Sequence, residues 1–198
     1  MPKPEESNLH ELLKNPDTKA EDVEALIDKY QDAVMEIGEF GQLPLHTAID
    51  RDASAEVIRV LLEADSSAAE KTVKVYDEDM LPLHFAIVKQ SSLSLELVKA
   101  LLEAYPEAAK VRRMGGKLPL SMVLTTYGVS DDVVLAILAA YPDAAKYDTG
   151  SNDSSLPLHF AIEKVRSLDV VKALLEAYPE AAKRIPTPPR SLFQMSLM

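Results

Sequence analysis

Between Leu81 and Lys110 the apolar residues fall into two stripes separated by a polar break. Leu83, Ala86 and Ile87 recur at the spacing of one helical face, and Leu97, Val98, Leu101 and Leu102 make a second such stripe. Pro82 stands where the first helix begins, since its ring presets φ and its missing N–H is not needed there. Ser91, Ser92 and Ser94 interrupt the periodicity, and Ser94 is placed to cap the second helix. Pro106 disfavours helix at Tyr105 and ends it. The segment reads as helix, short turn, helix, loop.

The same order recurs along the chain. Leu-Pro-Leu-His begins at Leu43, Leu81 and Leu156, and Leu-Pro-Leu-Ser at Leu118, so the starts lie 38, 37 and 38 residues apart. An apolar block follows each, at 60–64, 100–104, 136–140 and 173–177. A degenerate copy precedes them, with Leu9-His10-Glu11-Leu12 and then Ala25 to Tyr30; His10 and His46 are 36 residues apart. A fixed period of this size marks a repeat array in which each unit buries its apolar face only against its neighbours. We expect an all-α solenoid of five units, about 8–42, 43–80, 81–117, 118–155 and 156–183. A flexible segment 1–7 precedes them, and a Pro-rich, then apolar tail follows at 184–198. Glu21, Asp22, Glu24, Asp28 and Asp32 give the first unit the polar face of a terminal cap.

Leu-Pro-Leu-His-x-Ala resembles the Thr-Pro-Leu-His-x-Ala signature of ankyrin repeats, and the resemblance covers roughly residues 8–183. Leucine stands in place of threonine, Tyr-Pro-x-Ala-Ala in place of a Gly-Ala-Asp turn, and the units are longer than the usual 33 residues. The resemblance implies short hairpin-like fingers between units. Gly41 and Gly116 match the finger glycine, while Asp79 and Ser154 replace it, so the fingers at Asp79 and Ser154 are expected to be the less regular hairpins. It further implies that His10, His46, His84 and His159 hydrogen-bond within and between repeats.

The resemblance also implies a concave binding groove, built from the fingers and the exposed ends of the first helices. Matched residue by residue, the second unit offers Glu39, Phe40, Gln42, Asp50 and Arg51. The third offers Asp77, Glu78, Met80, Val88 and Lys89, and the fourth Arg113, Met114, Lys117, Thr125 and Thr126. The fifth offers Asn152, Asp153, Ser155, Glu163 and Lys164. Phe40, Met80 and Met114 are either an exposed hot-spot patch or packing against the adjacent finger. Tyr30, Tyr105, Tyr141 and Tyr178 recur where second helices end, as packing elements rather than ligand contacts.

Composition narrows the chemistry. The net charge is −11, which disfavours nucleic acid, whose phosphates need clustered Lys and Arg. The charge is uneven: residues 1–80 carry 20 acidic and 8 basic residues, against 12 and 13 in 81–198. The absence of cysteine excludes disulfides, thiolate nucleophiles and Cys-ligated metals. No phosphate-cradling glycine motif is present, and Asp77-Glu78-Asp79, Asp131-Asp132 and Asn152-Asp153 do not match a calcium loop. Asp131 and Asp132 instead suit a helix N-terminus. Ser121, at the histidine position of the fourth unit, has no visible base and reads as a core substitution. No window approaches a transmembrane span and no signal peptide is apparent, so a cytoplasmic or nuclear protein is expected.

These features lead us to expect a non-catalytic, monomeric scaffold that binds a protein partner, with no cofactor, metal, membrane or nucleic acid. A structural or self-associating spacer, and an accessory repeat domain separated from a larger enzyme, are the alternatives. The tail 184–198 is open to three readings: a cap on unit five, a partner-binding helix, or a truncation scar.

Overall fold

The computed structural model of the chain describes residues 9–38, 41–75, 78–89, 93–113, 115–148 and 155–184. Among them lie five helix pairs: α1 (Leu9–Leu13) with α2 (Ala20–Lys29), α3 (Pro44–Asp50) with α4 (Ala55–Ala64), and α5 (Pro82–Lys89) with α6 (Leu95–Ala104). Then come α7 (Pro119–Thr125) with α8 (Asp131–Ala140), and α9 (Pro157–Glu163) with α10 (Leu168–Ala177). The chain divides into two compact bodies, residues 1–108 and 109–198. In the first, α3 packs between α1 and α5, and α4 between α2 and α6; in the second, α7 packs on α9 and α8 on α10. First helices thus stack on first helices and second on second.

Local chemistry fixes the helix boundaries. Pro44, Pro119 and Pro157 each occupy the first turn of a first helix, preceded by an extended leucine that offers no side-chain cap. The second helices are capped at one repeat position. Ser54, Ser94, Ser130 and Ser167 accept the backbone N–H three residues on, at 3.3, 3.1, 3.4 and 3.4 Å. Lys19 holds that position in the first pair and makes no side-chain cap. Replacing Ser94 with alanine should lower stability by about 1 kcal/mol, the usual worth of such a cap. Urea denaturation followed by circular dichroism measures this, and an unchanged midpoint would dismiss the cap.

The stretches after the second helices, expected as loops, are 3-10 turns: Gln31–Met35, Ser66–Glu70, Pro106–Lys110, Pro142–Lys146 and Pro179–Lys183. In the last three, Pro106, Pro142 and Pro179 end the α-helix and start the tighter turn, whose first N–H needs no partner. The alanine pairs of these turns are core: Ala68, Ala69, Ala108, Ala109, Ala144 and Ala145 are all buried. Tyr30, Tyr105, Tyr141 and Tyr178 are half-buried just ahead of the turns.

The fingers reverse the expectation drawn from glycine. The described hairpin is the one containing Asp79, with β1 (Val73–Val75) antiparallel to β2 (Glu78–Met80). Val73 faces Met80 in the core, while Lys74 faces Asp79 on the solvent side with Nζ to Oδ1 at 3.5 Å. A β-branched strand and a cross-strand ion pair make this finger regular without glycine. The glycine fingers instead close at once. Gly38 N–H donates to the Gln42 carbonyl at 2.8 Å, and Arg113 N–H to that of Lys117 at 3.0 Å. Gly41 and Gly116 take φ of 72° and 76° in these loops, which leaves no length for strands. The Ser154 finger lies outside the described residues.

The histidine bonds that the resemblance implies form at His10 and His159, whereas neither ring nitrogen of the buried His46 has a hydrogen-bond partner. His10 Nε2 donates to the Glu36 carbonyl at 2.9 Å, so its Nδ1 accepts from Thr47 Oγ1 at 2.8 Å, bonding within one pair and to the next. His159 repeats the first bond, Nε2 to the Arg184 carbonyl at 3.0 Å, and its Nδ1 accepts the Leu156 N–H at 3.1 Å. His46 and His84 are buried. The His46 ring meets Phe85 edge-on, with centroids 6.0 Å apart. Ser121 is buried at the same repeat position, and its hydroxyl has no hydrogen-bond partner.

Candidate partner-binding surface

The first helices α3, α5 and α7 are buried along most of their length and emerge only at their C-terminal ends. In α3 every residue from Pro44 to Ile49 is buried, whereas Asp50 is half-buried and Arg51 exposed. The same step occurs in α5, where Val88 is half-buried and Lys89 exposed. Within the first body, stacking therefore sets out the ends of α3 and α5 side by side.

There the end of α3 borders a cleft of about 450 Å³ lined by His10, Glu11, Lys14, Glu36, Ile37, Gly38, Gln42, Thr47, Asp50 and Arg51. A Cβ on Gly38 would come within 2.8 Å of the His10 ring, so only glycine lets the finger approach here. The charges are largely paired. Glu11 bonds Lys14, and Asp50 bonds Lys89 of the next pair and lies 3.6 Å from Arg51 Nε. Lys89 also sits over the Phe85 ring, 5.5 Å from its centroid. Ile37 is 70% exposed at the rim, an apolar contact among polar ones.

In the second body a smaller cleft of about 150 Å³ is lined by Leu124, Thr125, Thr126, Tyr127, Gly128, Lys164 and Arg166. Tyr127 is 81% exposed, with Lys164 Nζ 5.3 Å from its ring centroid. A hydrogen bond to Glu163 and the nearby Tyr127 hold the Lys164 ammonium above its usual pKa, so it stays charged. The Thr125 hydroxyl is spent on its own helix, donating to the Ser121 and Met122 carbonyls.

Arg166 forms the floor of this cleft. Its guanidinium donates to the Val129, Val123 and Thr126 carbonyls and to Asp131 Oδ1 at 3.1 Å. Asp131 Oδ2 accepts the Ser167 N–H at 2.8 Å. Burial raises the Asp131 pKa, but the bonds from Ser167 and Arg166 outweigh it and hold the carboxyl below its usual value. Asp131 does stand at the start of α8, as a dipole-favoured residue would, and it also ties the fourth pair to the fifth.

Of the residues projected onto the groove, Gln42, Asp50 and Arg51 line the first cleft and Thr125, Thr126 and Lys164 the second. Lys89 joins the first group through Asp50, and Glu163 lies 3.3 Å from Lys164. Glu78, Val88, Arg113 and Lys117 are half-buried. Two projections are corrected: Met80 is fully buried, and Ser155 is buried. Met80 points inward because strand alternation sends Asp79 out, and Ser155 directly precedes the buried Leu156. Glu39, Phe40, Asp77, Met114, Asn152 and Asp153 lie outside the described residues. Glu11, Lys14 and Glu36 were not projected. Carrying the same register one unit earlier places Lys14 at the position of Asp50. Tyr127 and Arg166 have no counterpart in the motif.

Among the described residues, no group of three or more His, Asp or Glu side chains is arranged to hold a metal ion. No helix there is long and apolar enough to cross a membrane.

The stacked pairs, the finger turns and the histidine bonds define an ankyrin-repeat fold. The structure is similar to that of the ankyrin repeat domain of Bcl-3, described as a unique member of the IkappaB protein family. Identity is 22% over 86% of this chain and 71% of that one, with a TM-score of 0.59. No protein-family profile and no curated protein sequence matches the chain.

Proposed function

We propose that this chain is a non-catalytic scaffold that binds a partner protein through its finger turns and the exposed ends of its first helices. The observation that carries this reading is the step from buried to exposed at the ends of α3 and α5. It leaves Arg51 and Lys89 of the first body as side chains held at repeat spacing by a packed core. Such preorganisation spares association the cost of ordering a surface. The similarity to an ankyrin repeat domain supports the same reading. The excess of acidic residues in 1–80 suits a partner segment that is basic, drawn in by long-range attraction and weakened by salt.

Lysines on both faces make this testable. In a complex captured with the full chain, Lys14, Lys89, Lys117 and Lys164 should be protected from acetylation, whereas Lys99 and Lys172 on the second helices should react as in the free protein. Protection of Lys99 and Lys172 with the other four unchanged would place the partner on the opposite face and defeat the proposal.

A further inference from the structure

One repeat position carries a histidine in four units: His10, His46, His84 and His159. From it, His10 and His159 each reach the carbonyl of the residue directly after their own 3-10 turn, at Glu36 and Arg184. The fourth unit carries Ser121 there, buried and with its hydroxyl unpartnered, so this bond is not made. The residue directly after the fourth turn is Tyr147. Its counterparts in the other units are Glu36, Lys71, Val111 and Arg184. The one aromatic residue in this column thus belongs to the one unit without a histidine.

Tyr147 is held by its side chain instead. It is hydrogen-bonded to the side chain of Tyr141, the residue at which α8 ends. The Arg112 guanidinium lies over the Tyr147 ring, 4.7 Å from its centroid, and Lys146 Nζ lies 5.5 Å from the same point. Arg112 also donates to the Gly116 carbonyl in the connection that enters α7. The clasp therefore joins the connection before the fourth pair to the end of its second helix and to the point where the chain leaves it. A cation over an aromatic face and a net hydrogen bond are of similar strength at half-exposed sites, so the two together can replace one histidine bond. Tyr141 has counterparts in Tyr30, Tyr105 and Tyr178, whereas Tyr147 has none.

We propose that Tyr147 is the positioning residue of the fourth unit. Its bond to Tyr141 and its contact with Arg112 substitute for the missing histidine bond and fix the point from which the chain departs towards α9. The proposal concerns how that connection is anchored and stands whether or not the connection touches a partner.

The Tyr147 amide bonds the Ala144 carbonyl at 3.3 Å, and its hydrogen exchange reports the anchoring. The Arg184 amide bonds the Ala181 carbonyl at 3.2 Å in the equivalent place, and it serves as the control because that unit keeps its histidine. In the full chain, Tyr147→Phe and Tyr141→Phe should each speed exchange at 147 about fivefold, the effect of one net hydrogen bond, and leave 184 unchanged. The double variant should go no further, since both changes remove the same bond. Ser121→His added to the double variant should restore slow exchange by supplying the bond that His159 makes. In the otherwise unaltered chain it should slow exchange much less. Unchanged exchange in either single variant would overturn the proposal, as would additive effects of the two. Equal slowing by Ser121→His in both backgrounds would overturn it as well. If Ser121→His fails to fold, the cycle of phenylalanine variants still decides.

Discussion

Replacing Arg166 with alanine is expected to cost the second body about 3 kcal/mol, the low end for breaking a buried ion pair. The low end applies because Asp131 is 30% exposed, so water takes over part of its charge, while the Arg166 side chain is only 12% exposed. The loss has two sources. Asp131 forfeits its cation, and the Val123, Thr126 and Val129 carbonyls around the end of α7 lose their donors. Lysine at 166 should recover only part of the loss, because an ammonium cannot fork between carbonyls and a carboxylate as the planar guanidinium does. Asp131→Asn in both backgrounds separates the charge from the carbonyl bonds. Urea denaturation with hydrogen exchange on α9 and α10 provides the measurement. A loss well under 1 kcal/mol for Arg166→Ala would show that water replaces the guanidinium without difficulty.

The second large effect is acid loss of stability through His46. Burial lowers its pKa from 6.5 to about 4. The Lys71 backbone favours the charged form, but neither ring nitrogen has a hydrogen-bond partner of good geometry, so desolvation wins. Between these two values the unfolded chain binds a proton at this site that the folded chain refuses. Stability from this residue is therefore complete above about pH 6.5, falls as pH drops towards 4, and declines no further below that. The fall amounts to roughly 3 kcal/mol, from two and a half pKa units at about 1.4 kcal/mol each. Serine is the informative replacement, since the chain itself buries Ser121 at this repeat position. Unfolding free energies of wild type and His46→Ser, measured from pH 7 to 4, should converge as pH falls, because only the wild type carries this slope. Parallel curves would refute the assignment.

Most of the helical framework was legible because its landmarks are local. Proline before a first helix, serine before a second and Tyr-Pro after it act within a turn of their own position, and each stands where the boundary was expected. The errors arose where the register depends on more than one element. Glycine alone does not mark a regular finger, because at Gly41 and Gly116 positive φ closes the loop too early for strands. The motif alone places Met80 outward, while its pairing with Val73 turns it inward. Arg166 does leave a trace in the sequence. The residues before the four capping serines are Ala53, Leu93, Val129 and Arg166, and a single arginine in an otherwise apolar column signals a charge that must find partners. The two clefts were partly legible, since their residues lie at repeat positions. Ile37 and Tyr127 were not, because nothing in the repeat makes those sites apolar or aromatic.

The bond from each terminal histidine to the carbonyl beyond its own turn closes a loop of short, nearly constant span, 26 residues for His10 and 25 for His159. The fingers lie outside these loops. From the end of the 3-10 turn to the next leucine, the chain uses 8 residues at Met35–Leu43 but 11 at Glu70–Leu81. Chain-closure entropy grows only with the logarithm of length, so even doubling a connector costs about 0.6 kcal/mol. Insertions and deletions at the fingers are thus nearly free thermodynamically, and a new specificity can be acquired by altering their reach while folding continues to proceed from short-range contacts.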